Sequence, residues 1–190
     1  MTVRPDSPRR SERARTAIVD AAWDLCREQS YARVTMDGIA SRAGVGKTTI
    51  YRWWPSKTAV ILDAMMARTA PAVAFAETGD PVADLRTWLR RIATMLADPN
   101  AGPVIAGLAG SLQHDPALAQ AWHERVYLPT RAASLRRVHS LQEAGLLQDD
   151  DPEIVADLLY APMWFRLLLG GGNPSPEHAD AIVTAVLRKY

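Results

Sequence analysis

The chain has 190 residues, 48% of them hydrophobic, enough to bury one sizeable core or a small module fused to a larger one. No run of about eighteen apolar residues occurs, which argues against a membrane-spanning helix, and the polar, basic stretch from Met1 to Arg15 lacks the apolar segment of a secretory signal. A formal net charge of +1 hides an asymmetry: residues 1–57 hold 11 Lys and Arg against 6 Asp and Glu, whereas residues 58–190 hold 11 against 15, so the N-terminal third is the part suited to meet an anionic polymer.

Apolar residues recur at every third and fourth position and period-two alternation is absent, so the fold class is all-α, with about nine helices. Residues 1–10, with two prolines and three arginines, read as a flexible basic arm. The first helix is expected over about 11–29, with Ile18, Ala22, Leu25 and Cys26 on one apolar face. Cys26 is the lone cysteine, so no intramolecular disulfide forms, which fits a reducing cytosol, and its apolar neighbours make it core filler. The second and third helices fall at about 35–42 and 46–53. The fourth, about 56–76, links two modules: a smaller, basic unit at 11–55 and a larger helical unit at 56–190. Helices follow at about 81–97, 101–113, 116–145, 152–170 and 176–189. Asp80-Pro81, Asp115-Pro116, Asp151-Pro152 and Ser175-Pro176 each place a capping oxygen before a proline, whose missing N–H costs nothing at the first helical position. Pro129 lies inside the seventh helix and is expected to kink or split it.

The informative stretch is Thr35 to Lys57. Thr35 caps a short helix with Met36, Ile39, Ala40 and Ala43 as its apolar positions, Gly44 ends it, and a second short helix starts at Gly46. Two short helices about a glycine-containing turn make a helix-turn-helix. With Val45, Ile50 and Trp53 facing inward, Lys47, Thr48, Thr49, Tyr51 and Arg52 are left outward. That set is rich in donors for phosphates and base edges and suits a major groove. Arg42, Lys57 and the arginines of the arm add positive charge around it.

These residues resemble the signature of TetR-family regulators: Ile39-Ala40, Ala43-Gly44-Val45, Lys47 to Ile50, Tyr51, Trp53-Trp54 and Pro55-Ser56-Lys57. The resemblance covers about 50 residues. It implies a DNA-binding transcriptional regulator, not an enzyme, acting as a homodimer on a palindromic double-stranded operator. Lys47, Thr48, Thr49, Tyr51 and Arg52 would face DNA, and Thr35 and Lys57 would contact phosphate. The Trp53-Trp54 pair departs from the commoner pairing with Phe.

The remainder resembles the effector and dimerisation domain of the same family. The eighth helix is apolar nearly all round, and a helix apolar on every side must be covered on every side. Burial against a partner chain is expected there through Ile154, Leu158, Phe165 and Leu168, joined by Ile182 and Val186 of the ninth. Trp88, Met95, Gln113, Trp122, Tyr127, Arg131 and Trp164 mix aromatic bulk with a few polar groups, as a small-molecule pocket does. No cofactor is implied, and the four histidines are too scattered for a metal site.

Two rival readings keep their own signatures. A helical carrier or interaction protein with an incidental basic N-terminus predicts no salt-sensitive DNA binding. A P-loop enzyme is hinted at by Gly46-Lys47-Thr48, but Ser41 replaces the first glycine and no buried strand precedes it.

Overall fold

The computed structural model describes residues 8–75, 77–147, 151–170, 172 and 174–188. Its elements are α1 (Pro8–Arg33), α2 (Met36–Ala43), α3 (Lys47–Tyr51), α4 (Lys57–Val73), α5 (Pro81–Ala97), α6 (Gly102–Ser111), α7 (Pro116–Trp122), a π-helical segment (His123–Tyr127), α8 (Leu128–Glu143), α9 (Pro152–Leu169) and α10 (Pro176–Arg188). The described residues contain no strand. Counting α7, the π segment and α8 as one continuous rod, they form nine helical rods, as the periodicity predicts.

The proline-preceded starts behave as caps. Asp80 accepts from the amides of Val82 and Ala83, Asp115 from Leu118, Asp151 from Glu153 and Ser175 from His178. Asp98 caps the turn into α6 in the same way, through Asn100 and Ala101. The predicted arm lies largely outside the described residues, but Pro8 to Arg10 already belong to α1. That helix breaks at Ser30, whose backbone lies at φ 68 and ψ 158, where only glycine is at ease.

Pro129 falls in the first turn of α8, directly after the π-helical segment that divides this rod from α7. The residues around it keep right-handed helical angles, and the turn before it widens so that the Leu128 amide reaches back five residues to the His123 carbonyl. The extra residue in that turn lets the helix run on past a proline that cannot join an ordinary hydrogen-bond ladder.

Helix α1 packs on α2, α4 and α6. Helix α4 continues the chain onto α5 and α7, while α5 is covered by α6, α8, α9 and α10. Buried Ile18, Leu25, Ile39, Ile50, Ile61 and Leu62 form one end of a continuous apolar core. Leu85, Leu89, Leu108, Leu118, Leu141, Leu159 and Met163 form the other. Cys26 sits in the first group, where burial pushes its thiol up to about 11 and leaves it inert. At Gly102 the start of α6 crosses the end of α5 so closely that a Cβ would collide with the Leu96 backbone carbonyl oxygen.

Because backbone opposes backbone there, Gly102→Ala is expected to destabilise the protein by about 1–3 kcal/mol, read as a lower midpoint in thermal unfolding; an unchanged midpoint would show that the crossing is loose.

Candidate nucleic-acid interface

The helix-turn-helix is shaped by short local bonds. Thr35 Oγ1 accepts the Gly38 amide at 3.0 Å and fixes the start of α2. At its end Gly44 takes the left-handed conformation (φ 66); its amide bonds to the Ser41 carbonyl and the Val45 amide to that of Ala40. This paired closure turns the chain sharply and lets Val45 pack against the core. Helix α3 then runs only from Lys47 to Tyr51, pinned by the fully buried Ile50.

Trp54 is the more deeply buried aromatic, only 3% exposed, while Trp53 is partly buried against the same core and meets it edge-on at 5.7 Å. Helical bonding runs on past Tyr51, with the Arg52 amide on the Thr48 carbonyl and the Trp54 amide on that of Ile50, so Trp54 falls four residues after Ile50 on the same inner face. Val45 is likewise only partly buried.

Around this anchor, Lys47, Thr48 and Arg52 are exposed, Tyr51 is 52% exposed and Thr49 is half-buried. The Arg52 guanidinium lies 4.4 Å from the centre of the Trp53 ring, which stiffens a long side chain on the exposed face. Two of the cations carry intramolecular partners: Lys47 pairs with Asp37 at 2.5 Å, and Arg42 grips Glu28 through two bonds of 2.6 and 2.8 Å. The Arg42 contact holds the Glu28 carboxyl below its ordinary range. All four side chains are solvent-exposed, where ion pairs are weak and salt-screened, so a polyanion can displace the acids. Thr35 remains exposed with its hydroxyl proton free. Lys57 is half-buried, and its ammonium donates to the Tyr31 and Val34 carbonyls (3.3 and 3.2 Å) over the Tyr31 ring. One of its three donors is left for a phosphate.

Sequence reasoning missed the polar links between this face and the rest of the chain. The Trp54 indole N–H donates to Asp63 Oδ2 at 2.7 Å, and the other Asp63 oxygen takes Arg125 from the π segment. The Tyr31 hydroxyl donates to Asp115 at 2.6 Å and lies 3.0 Å from Thr58. Burial and the Asp115 bond push that phenol up to about 12. These partners lie 9, 62 and 84 residues apart in sequence, so no local pattern announces them.

Of the residues expected in a pocket, Trp88, Met95, Trp122 and Trp164 line one cavity of about 100 Å³, together with Tyr160 and Val126. The other three lie elsewhere. Gln113 is exposed at the end of α6, Tyr127 stacks on His123 at the surface, and Arg131 clamps α8 to α9 through Glu153 and Asp157. Of the residues expected at a dimer contact, Ile154, Leu158, Phe165 and Leu168 form an exposed stripe along α9, extended by Leu169, with Phe165 59% exposed. Ile182 (7%) and Val186 (6%) do not join it: α10 turns its apolar face onto α5 and spends them in the chain's own core.

No helix among the described residues is long and apolar enough to cross a membrane, and no cluster of three or more His, Cys, Asp or Glu side chains is placed to hold a metal. The family model described as "Bacterial regulatory proteins, tetR family" matches residues 18–64, and "Tetracyclin repressor-like, C-terminal domain" matches 75–186. An HTH-type transcriptional regulator of Bacillus subtilis, YdeS, is 34% identical over 175 residues, 92% of this chain and 88% of its own. The DNA-binding transcriptional repressor TetR of Mycobacteroides abscessus is 30% identical over 168 residues, 85% of this chain and 86% of its own. Among solved structures, the TetR family transcription regulator SCO0332 superposes with a TM-score of 0.75 at 31% identity, covering 93% of this chain and 98% of that one. The matched segments span both the helix-turn-helix and the helices beyond it: this chain belongs to the TetR family of DNA-binding transcriptional regulators.

Proposed function

We propose that the protein is a cytoplasmic, dimeric repressor that holds a palindromic operator and lets it go when a small molecule occupies the cavity behind α5. The observation that carries the DNA assignment is the exposed set on α3, with Lys47, Thr48, Tyr51 and Arg52 presented around a buried Ile50 and Trp54. Donors without a competing acid on the same helix suit a groove edge, with Thr49 nearer the core and Thr35, Arg42 and Lys57 on flanking phosphates. The functional division falls near Pro55, with DNA binding on its N-terminal side and effector binding and dimerisation beyond. Repression agrees with the M. abscessus relative, a DNA-binding transcriptional repressor.

The α9 stripe of Ile154, Leu158, Phe165, Leu168 and Leu169 supports a two-fold dimer, because an apolar strip of this length on one helix favours a second copy as its cover. Such a dimer sets its two recognition helices about 34–36 Å apart, one turn of the duplex. The cavity supports an effector: it is walled by Trp88, Trp122, Tyr160 and Trp164, and the π segment forms part of its boundary. Arg125 sits in that segment beside Val126, and it reaches Asp63, which holds Trp54 at the end of the recognition turn. A ligand that shifts the π segment changes the support of α3. Release follows if the ligand favours the shifted arrangement.

Fluorescence anisotropy with the duplex upstream of the protein's own coding region tests the assignment. Binding should exceed that of a scrambled duplex and fall steeply with salt, Tyr51→Ala should weaken it by about 1–3 kcal/mol, and Lys47→Ala should reduce the salt slope by about one. Equal affinity for both duplexes, or unaltered binding by both variants, would sink it. Leu158→Glu should convert the dimer to monomer in sedimentation, and a persisting dimer would place the interface elsewhere. For the relay, Trp54→Phe and Arg125→Gln should perturb DNA affinity non-additively, with a coupling of at least about 0.5 kcal/mol; strict additivity would break the chain.

A further inference from the structure

One charged side chain has no use in anything described so far. Arg137, on α8, lies with its guanidinium in the corner of two aromatic rings set 73° apart, 3.9 Å from the centre of Trp88 and 4.0 Å from that of Phe75. Its Nε and Nη1 are buried and have no hydrogen-bond partner. Contact with ring faces attracts a guanidinium but does not satisfy its N–H groups, and a buried donor without an acceptor is a standing penalty. Burial accordingly pulls this group below its ordinary value, and the Tyr160 hydroxyl only partly offsets the effect.

Arg137 opens on a groove of about 480 Å³ between α8 and the chain leading into α5, with Phe75, Pro81 and Ala133 as its apolar wall. Neither acid in the groove neutralises it. Asp84 spends both oxygens on Thr78, at 2.8 and 2.7 Å, and Glu77 is exposed and makes no ion pair with it. The Trp88 ring that stacks on Arg137 also walls the aromatic cavity behind it. Arg137 therefore lies between the groove and the outer face of the cavity wall.

We propose that Arg137 is the anion-reading residue of the effector site, and that the effector class is a small organic oxyanion: a carboxylate or sulfonate on an apolar body. This deepens the effector reading above and rests on it. A planar guanidinium already held by two rings loses little freedom on binding an oxyanion, and the ligand supplies the acceptors its buried edges lack.

The test uses two fluorescent probes of nearly equal shape, anilinonaphthalene sulfonate and the uncharged phenylnaphthylamine, titrated into the full-length protein. The wild type should prefer the sulfonate by on the order of ten-fold, the step expected of one well-made charge-assisted contact. Arg137→Met, which keeps the stacking bulk, should bring the two probes to within about two-fold while still binding the neutral one, and should raise the unfolding midpoint of the free protein by removing an unpaired buried charge. Arg137→Lys should retain part of the preference, and Arg136→Ala should retain all of it. A preference that survives Arg137→Met, or vanishes instead with Arg136→Ala, overturns the assignment. Equal binding of both probes by the wild type overturns the oxyanion class and leaves the effector site standing, whereas no binding of either probe removes the effector site itself.

Discussion

A buried indole must place its N–H against an acceptor, and at Trp54 that requirement organises the molecule. Ile50 and Trp54 are the pegs that hold a recognition helix of only five residues, too short to be stable by itself. The Trp54 N–H takes Asp63 of α4, and the Asp63 carboxylate needs a cation, which comes from Arg125 far along the chain. Each polar group drawn inward obliges the next to follow. The same logic runs through Tyr31, Thr58 and Asp115, where the cap of α7 also serves as acceptor for a phenol of α1. The helix-turn-helix is thereby tied to the helices beyond it by two polar bridges as well as by apolar packing.

The opposite end of the molecule shows the contrary choice. Around Arg137 a guanidinium is set against rings and its buried Nε and Nη1 are given no acceptor, although the neighbouring Asp84 is fully satisfied by Thr78. A protein selected for stability alone would place a hydrocarbon there. Strain of this kind collects where binding is selected for.

Local rules made much of this legible. Asp or Ser before proline marked four helix starts, and each oxygen caps amides two or three residues ahead, a bond closed within one turn. Gly44 was readable because a sharp exit from α2 demands a left-handed residue. What failed did so where tertiary geometry overrides periodicity. Trp53 packs on the core only in part, and the full burial goes to Trp54, whose indole is held by Asp63 of another helix. The apolar stripe of α10 was visible, but whether Ile182 and Val186 face α5 or a second chain depends on the path of the preceding turn. Arg131 looked like a pocket residue because its partners Glu153 and Asp157 sit on another helix. The Asp63–Arg125 and Arg137 arrangements left no trace in spacing at all.

The π segment has a consequence for how this helix tolerates change. One extra residue in a turn rotates everything downstream by about 100° relative to a plain α-helix. The faces of α8, including the side that carries Ser134, Arg137, Val138 and Leu141 inward, are therefore phased by that single residue and not by the start of the rod at Pro116. A one-residue deletion between His123 and Tyr127 would leave a better-bonded helix and swing that inner face out of register. Insertions and deletions here act as rotations, so the length of the segment is under tighter constraint than the identity of most of its side chains.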